Sequence, residues 1–198
     1  MIAELLEKTR GLEDRHFILP GYYNWQQFKA IEALIDEVGG VRLSYLDGCV
    51  EFMTLGENHE TIKSFLAILL ALYFFEKRIE FIPVGSATRE DEAKAVSFEP
   101  DESYYIGEKK EHPDLAIEVA ITSGDSRKLE RYRRFRIAEV WFCKNNKLSI
   151  YRVREDNYEQ VSRSEFLPEL DLALLVRCVL MPSKLEAMAE FINGIRQQ

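Results

Sequence analysis

The chain has 198 residues, of which 46% are hydrophobic, and a formal net charge of −8. This length and composition suit a globular protein with a sizeable core, and we expect a single domain over residues 1–198. The acidic balance argues against a protein that coats nucleic acid with a broad basic surface, although a local basic face can still bind it.

The sequence also limits the location of the protein and its covalent cross-links. The three cysteines form no C-x-x-C pair, which argues against a zinc site or a disulfide framework and favours a reducing compartment, the cytoplasm. Charged residues interrupt residues 1–12, so we expect no secretory signal. The longest apolar run, 65–75, is too short to span a bilayer.

The first part of the chain predicts a helix followed by a β-hairpin. Asn24 and Gln27 match a capping box, which begins an amphipathic helix that ends at Gly39-Gly40. Residues 41–53 are typical of a hairpin, because Asp47-Gly48 suits the positive φ angles of a type I′ turn. We therefore expect an extra N-terminal helix and a hairpin beside the main sheet.

A mostly apolar helix is predicted from an N-cap at Asn58 to about Lys77. One of its faces carries small residues that would let it approach a sheet closely, with Glu60 at the open end of that face. A carboxylate in the first turn also complements the helix dipole, so Glu60 alone does not indicate a site. The neighbouring His59 could act as a ligand or base, although a lone histidine usually does neither.

Beyond residue 80 the pattern alternates between short strands and helices. The predicted strands are 81–86, 103–106, 115–121, 140–143 and 148–153, and the predicted helices are 126–136 and one that begins after Ser183. Such alternation indicates an α/β (α+β-like) protein with a mixed β-sheet flanked by helices. The absence of P-loop, G-x-G-x-x-G and G-x-S-x-G motifs argues against the corresponding nucleotide-binding and hydrolase classes.

Glu118 is the strongest candidate site residue. In a strand over 115–121, the odd-numbered residues are all apolar and point to one face, while Glu118 lies between Ala116 and Ala120 on the other. A carboxylate inside an apolar strand is costly unless it is paired or binds a metal, and the small neighbours leave room for an ion. The alternative is a buried glutamate that an arginine satisfies.

Two aspartates compete for the role of partner acid. Asp101 and Asp114 both follow a proline, a context that is also common in turns and caps. Asp114 lies on the same strand face as Glu118 but roughly 13 Å away, from about 3.3 Å per residue, which is too far for one shared ion. We therefore prefer Asp101, on a neighbouring strand.

The helix that follows the Glu118 strand is rich in basic residues. Lys128 lies in its first turn, and Tyr132 lies one turn later on the same side. The simpler interpretation is that Lys128 and the arginines are solvated surface residues. If the helix is functional, Lys128 joins the acids, and the candidate contacts to nucleic-acid phosphates are Arg127, Arg131, Tyr132 and Arg134.

These segments resemble the Uma2 family, also called DUF820, a branch of the PD-(D/E)XK nuclease superfamily. The resemblance covers most of the chain and rests on the order and spacing of short segments: Tyr45-Leu-Asp-Gly48, Glu57-Asn-His-Glu60, Glu99-Pro-Asp-Glu102, Asp114-Leu-Ala-Ile-Glu-Val119, Lys128-Leu-Glu-Arg-Tyr132 and Glu139-Val-Trp141. It implies a restriction-endonuclease-like mixed β-sheet core flanked by helices, with the acids on adjacent strands.

The resemblance also implies roles for individual residues. Asp101 would be the aspartate of the PD motif, Glu118 the second acid and Glu60 an accessory acid of the first core helix. The usual lysine position holds Ala120, and in this branch the lysine lies on the following helix, which points to Lys128. Many relatives carry an acid before the Asp-Gly turn, where this chain has Ser44.

Three functions follow as hypotheses. The first is an endonuclease that hydrolyses DNA with Mg²⁺ or Mn²⁺, the ion being held by Asp101, Glu118 and the Val119 carbonyl, with Glu60 assisting directly or through water. The second, favoured by the acidic charge and by Ser44, is a catalytically inactive nuclease fold that binds nucleic acid or regulates a partner, with a homodimer as one form. The third, ranked lowest, is a hydrolase for another phosphoester.

Overall fold

The computed structural model describes residues 15–36, 40–119 and 125–197. In chain order the elements within them are β1 (Arg15–Ile18), α1 (Trp25–Asp36), β2 (Val41–Leu46), β3 (Cys49–Thr54), α2 (Glu57–Lys77), β4 (Phe81–Pro83), β5 (Arg89–Asp91), β6 (Val96–Phe98), β7 (Glu102–Ile106), β8 (Leu115–Val119), α3 (Asp125–Arg134), β9 (Glu139–Lys144), β10 (Lys147–Arg154), β11 (Asn157–Val161), α4 (Leu172–Leu180) and α5 (Lys184–Arg196).

The chain folds into two compact units. The first unit comprises Met1–Glu60 and Ala87–Glu99, and the second comprises Thr61–Ser86 and Pro100–Gln198. Each unit contains one β-sheet. The single domain expected over the whole chain stays a prediction.

The first unit contains an antiparallel sheet in the order β1-β3-β2-β6-β5. The predicted capping box begins α1: Asn24 N donates to Gln27 Oε1 and Gln27 N donates to Asn24 Oδ1, both at 2.9 Å. The predicted hairpin turn is also confirmed, because Asp47 and Gly48 have φ angles of 47° and 83°. Buried Phe28 of α1 stacks on Tyr45 of β2 with ring centroids 4.9 Å apart, which fixes the helix on the sheet.

The second unit contains a six-stranded mixed sheet in the order β11-β10-β9-β8-β7-β4. Strands β8 and β9 are parallel, and the other neighbouring pairs are antiparallel. Parallel neighbours need a crossover connection, and the chain makes it with α3. This crossover places the basic helix directly after the strand that carries Glu118.

The two faces of strand β8 have different neighbours. Leu115 and Ile117 point into the main core, where they join Trp141 of β9 and apolar side chains of α2, α4 and α5. Because side chains alternate along a strand, Ala116 and Glu118 point to the opposite face. The α2 side chains in this core are Phe65, Leu66, Leu69, Leu70, Tyr73 and Phe74. The face of β8 with Leu115 and Ile117 therefore packs into the core, and the opposite face carries Glu118.

Several predicted boundaries need correction. Helix α2 begins at Glu57, so Asn58 lies inside its first turn rather than at its N-cap. The strand predicted over 81–86 is only Phe81–Pro83, although Val84 N still donates to Ser103 O at 2.8 Å in the same register. Helix α3 ends at Arg134 rather than at 136. The predicted end of α1 at Gly39 and the strand end at 120–121 lie outside the described residues.

The last predicted helix is confirmed. Ser183 Oγ accepts a hydrogen bond from Glu186 N, and α5 follows. Helix α4 was not predicted, although Asp171 caps it through bonds from Ala173 N and Leu174 N at 2.9 Å. In the described part of the chain, no helix is both long and apolar enough to cross a membrane.

Candidate active site

Strand pairing brings the two preferred acids together. Strands β7 and β8 pair with Glu102 opposite Ile117 and Ser103 opposite Ala116, so Asp101 directly precedes the residue that pairs with Ile117, the neighbour of Glu118. The Asp101 carboxylate also accepts a hydrogen bond from Val119 N at 2.8 Å. Asp101 is therefore bound to the end of the strand that carries the second acid.

Both oxygens of the Glu118 carboxylate accept hydrogen bonds from helix α3. Lys128 Nζ lies 2.6 Å from Glu118 Oε2, and the Tyr132 hydroxyl donates to Glu118 Oε1. Lys128 and Tyr132 are four residues apart, so they share one helix face. A lysine and a tyrosine thus satisfy this buried glutamate, in place of the arginine that the simpler interpretation invoked.

Arg131 is a second basic residue of α3 whose charge reaches Lys128 and Tyr132. The positive charge of Arg131 and the negative charge of Asp101 both act on Lys128 and on Tyr132. Asp101, Glu118 and Arg131 are 1%, 4% and 6% exposed. Buried charges are tolerated when opposite charges offset them, and this set has two of each sign. We call these residues, namely Asp101, Glu118, Lys128, Arg131 and Tyr132, the acid cluster.

The pKa shifts in the acid cluster follow from burial and charge. Burial opposes the charged form of Lys128, but the charge and hydrogen bond of Glu118 and the charge of Asp101 outweigh it, so the lysine pKa lies above its usual value. Burial and the two carboxylates raise the pKa of Tyr132 well above its usual value. At neutral pH the cluster therefore contains an ammonium ion and an un-ionised phenol.

Buried tyrosines elsewhere in the second unit predict a loss of stability at alkaline pH. Burial raises the pKa of Tyr73 to about 12 and also raises the pKa of Tyr104 and Tyr158. A raised pKa stabilises the fold below the unfolded value of 10.0, and this stabilisation is lost as pH rises through the folded value. We expect the free energy of unfolding in urea to fall from about pH 10 upwards.

A matched pair of variants checks this expectation. Tyr104→Phe should reduce the alkaline loss, because Tyr104 is buried, whereas Tyr22→Phe should not, because Tyr22 is 77% exposed. Equal pH profiles for wild type and Tyr104→Phe would contradict the assignment. Tyrosinate absorbance recorded along the same titration reports the ionisation directly.

The rival aspartate has a structural role. Asp114 Oδ2 accepts bonds from Ile106 N at 2.8 Å and from Lys110 Nζ at 2.7 Å. These contacts hold the connection between β7 and β8. The choice of Asp101 over Asp114 as the partner of Glu118 stays a prediction.

The predicted nucleic-acid contacts fall into two groups. Arg127 is exposed, and Arg134 Nε pairs with Glu130 Oε1 at 3.1 Å. Arg131 and Tyr132 are instead buried, and Tyr132 is only 1% exposed. We therefore assign Arg131 and Tyr132 to the acid cluster and not to a nucleic-acid surface, because a buried ring and guanidinium do not reach a phosphate backbone.

Other candidates lie in the first unit. Glu60 is in the first turn of α2, where Glu60 N donates to Gly56 O at 3.2 Å, and its part in the site stays a prediction. His59 beside it is fully buried. Ser44 Oγ donates to Glu51 Oε2 at 3.4 Å, and His16 Nε2 lies 3.3 Å from the same oxygen. Glu51, a buried strand acid, was not singled out from the sequence.

A second buried strand glutamate was also overlooked. Glu139 of β9 accepts bonds from Trp141 Nε1 at 2.9 Å, from Ser164 Oγ at 2.8 Å and from Glu165 N at 2.6 Å. Like Glu118, it is an acid within a mostly apolar strand, and this was the available signal. These contacts fasten the segment after β11 to the sheet, so the role of Glu139 is structural.

Two acids on paired strands, a lysine from the crossover helix and a mixed sheet define a restriction-endonuclease-like fold, as predicted. A family model for Uma2, with the description "Putative restriction endonuclease", matches residues 25–180. The chain belongs to the Uma2 family, which confirms the family expected from the sequence. A search of curated proteins finds no match for the chain.

The donor atoms of the acid cluster suit a hard divalent cation. Restriction-endonuclease-like families generally use divalent metals. Asp101, Glu118 and the Val119 carbonyl offer only oxygen, which Mg²⁺ and Mn²⁺ prefer. Among the described residues no group of three or more His, Cys, Asp or Glu side chains could hold a metal. Two carboxylates still fit Mg²⁺, because this ion keeps several of its waters.

Proposed function

We propose that the protein is an endonuclease that hydrolyses phosphodiester bonds of DNA with Mg²⁺ or Mn²⁺. The observation that carries this proposal is the meeting of two acids and an ammonium: Asp101 Oδ2 accepts a hydrogen bond from Val119 N at 2.8 Å, and the Lys128 ammonium lies 2.6 Å from Glu118 Oε2. Membership of a family described as restriction endonucleases supports it. Asp101, Glu118 and the Val119 carbonyl would hold the ion in this reaction.

The residues of the acid cluster supply charge and orientation. A bound divalent ion polarises the phosphodiester and lowers the pKa of an attacking water. Lys128 orients that water or offsets the charge that develops on the phosphate oxygens. The cluster has no net charge by itself, so it would become positive and attractive to a phosphodiester with a divalent cation held there. Burial strengthens each of these interactions relative to water.

Contacts to the nucleic-acid backbone are proposed for the more accessible arginines of α3. Arg127 is exposed, and Arg134 is partly exposed beside Glu130. Each arginine that neutralises a phosphate contributes to a binding affinity that falls as salt rises. Glu60 is proposed as the accessory acid, and homodimer formation and a cytoplasmic location also stay proposals.

The second candidate is a nuclease fold that binds nucleic acid without cutting it. The charge balance of the acid cluster is compatible with this alternative, because four offsetting buried charges are tolerated without a bound metal ion. The net charge of −8 and Ser44 point the same way. In that case DNA binding weakens with salt and with loss of Arg127 or Arg134 but survives loss of Glu118.

Cleavage of supercoiled plasmid and of labelled oligonucleotides separates the two candidates. Purified protein is incubated with Mg²⁺, with Mn²⁺ or with EDTA, and RNA and a phosphomonoester serve as other substrates. We expect nicking that needs the divalent ion. DNA binding without nicking under every metal condition would support the second candidate and reject the first.

Lys128→Met is expected to reduce cleavage by about 100-fold or more, the effect of removing one group that stabilises transition-state charge. Lys110→Met is the matched control, because Lys110 forms a similar short ion pair with Asp114, at 2.7 Å, outside the acid cluster. Single-turnover cleavage rates are compared for the folded variants. Equal losses in both variants would show that the effect comes from an ion pair of any kind and not from Lys128.

A further inference from the structure

The Tyr132 hydroxyl has no role in the proposed function as it stands. Its ring is 1% exposed and lies among the largest fully buried side chains. Its hydroxyl donates to Glu118 Oε1, while Lys128 Nζ donates to Glu118 Oε2. One helix therefore supplies a donor to each oxygen of a single carboxylate.

Packing alone does not explain a tyrosine at this position. A phenylalanine would fill the same space without the cost of burying a hydroxyl. Tyr104 provides a contrast within the second unit: it is also buried, and its hydroxyl has no hydrogen-bond partner among the residues that the structure describes. The buried hydroxyl of Tyr104 thus has no bond among the described residues, whereas the buried hydroxyl of Tyr132 is aimed at a candidate metal ligand.

The two donors to Glu118 differ in charge. Lys128 offsets the negative charge of the carboxylate, and Arg131 adds a second positive charge nearby. Tyr132 donates a hydrogen bond as a neutral group, so it fixes the carboxylate without reducing its charge. Groups that hydrogen-bond to a metal-binding side chain in this way orient the ligand and raise its affinity for the ion.

We propose that Tyr132 is a positioning residue of the metal site: its hydroxyl fixes Glu118 Oε1, so that Oε2 is the oxygen shared between Lys128 and the ion. The inference rests on the proposed function and goes beyond it, because it gives the two oxygens of Glu118 different tasks. It also replaces the nucleic-acid contact expected for Tyr132 from the sequence. Tyr132 acts through Glu118 and does not touch DNA.

Tyr132→Phe tests this inference, with Tyr104→Phe as the matched control. Calorimetric titration with Mn²⁺ measures ion affinity in the absence of DNA. We expect affinity to fall about 10- to 100-fold in Tyr132→Phe, the usual effect of removing such a supporting group, and to be unchanged in Tyr104→Phe. In cleavage assays at saturating Mn²⁺, kcat should fall while KM for DNA stays the same.

The outcomes distinguish this inference from the function on which it rests. Wild type that binds Mn²⁺ no better than Tyr132→Phe overturns the role of Tyr132 and leaves the proposed function standing. Wild type that neither binds Mn²⁺ nor cleaves DNA overturns both. A higher KM for DNA in Tyr132→Phe, with unchanged Mn²⁺ affinity, restores the nucleic-acid contact and overturns the positioning role.

A measurement on the wild-type protein covers the case in which Tyr132→Phe does not fold. Infrared difference spectra with and without Mn²⁺ record changes in carboxylate stretches and in the tyrosine C–O stretch. We expect both to change, because the acceptor of the Tyr132 hydroxyl becomes a metal ligand. The tyrosine change should persist in Tyr104→Phe. Carboxylate changes without any tyrosine change would overturn the inference.

Discussion

Asp101→Asn is expected to abolish metal-dependent cleavage, whereas Asp114→Asn leaves it intact. Both aspartates follow a proline, and both accept a backbone N–H at 2.8 Å, from Val119 and from Ile106. Of the two, only Asp101 bonds to Val119, the residue after Glu118, and only Asp101 adds its charge to Lys128 and Tyr132. The two variants therefore make the same chemical change in closely similar local settings, and only one of them alters the acid cluster.

The expected loss for Asp101→Asn is on the order of 1,000-fold, since a metal ion contributes several kcal/mol and about 1.4 kcal/mol corresponds to a factor of ten. Asp114→Asn should lower the melting temperature instead, because it removes the ion pair with Lys110. Plasmid nicking and thermal unfolding are measured on the same preparations. Loss of cleavage in Asp114→Asn at a temperature where it is fully folded would place the partner acid at Asp114.

Glu118→Gln is expected to reduce cleavage by on the order of 1,000-fold. Its effect on the melting temperature should be smaller than that of Glu139→Gln. The amide keeps the size of the side chain and one acceptor oxygen, but it removes the charge that faces the Lys128 ammonium. A buried ammonium without its counter-charge is destabilising, although Lys128 retains the field of Asp101. The variant thus tests charge at this position more than shape.

Glu139→Gln provides the opposite profile. Glu139 is fully buried on the neighbouring strand and accepts bonds from Trp141 and Ser164, so an amide leaves some of these donors without an acceptor. We expect a clear drop in melting temperature, with cleavage per folded molecule unchanged below the transition. Should Glu118→Gln and Glu139→Gln lose cleavage and stability in equal proportion, Glu118 would be structural.

Local sequence patterns predicted the elements that their own residues determine. The Asp47-Gly48 turn and the capping boxes follow from short-range backbone and hydrogen-bond preferences. Glu118 was identifiable because alternation places a charge between alanines in an apolar strand. Helix α4 was not predicted, because a short and almost wholly apolar segment is difficult to distinguish from a buried strand by its pattern alone.

The site was predictable only in part, because tertiary packing decides which side of a helix is buried. Spacing placed Lys128 and Tyr132 on one face of α3, yet it did not show that this face meets Glu118. The sequence does not distinguish the arginines of α3, but Arg131 is buried in the acid cluster while Arg127 is exposed. The division of the chain into two units depends on contacts between distant segments, and no change in amino-acid composition marks the boundaries in the sequence.

The most direct test of the metal site is a calorimetric titration of Mn²⁺ into wild type, Asp101→Asn and Glu118→Gln. We predict that wild type binds one ion per chain at this site and that each variant binds it at least about ten times more weakly, since each loses one charged oxygen ligand. Asp114→Asn should bind as wild type does. Equal binding by wild type and both cluster variants would contradict the assignment of the ion to Asp101 and Glu118.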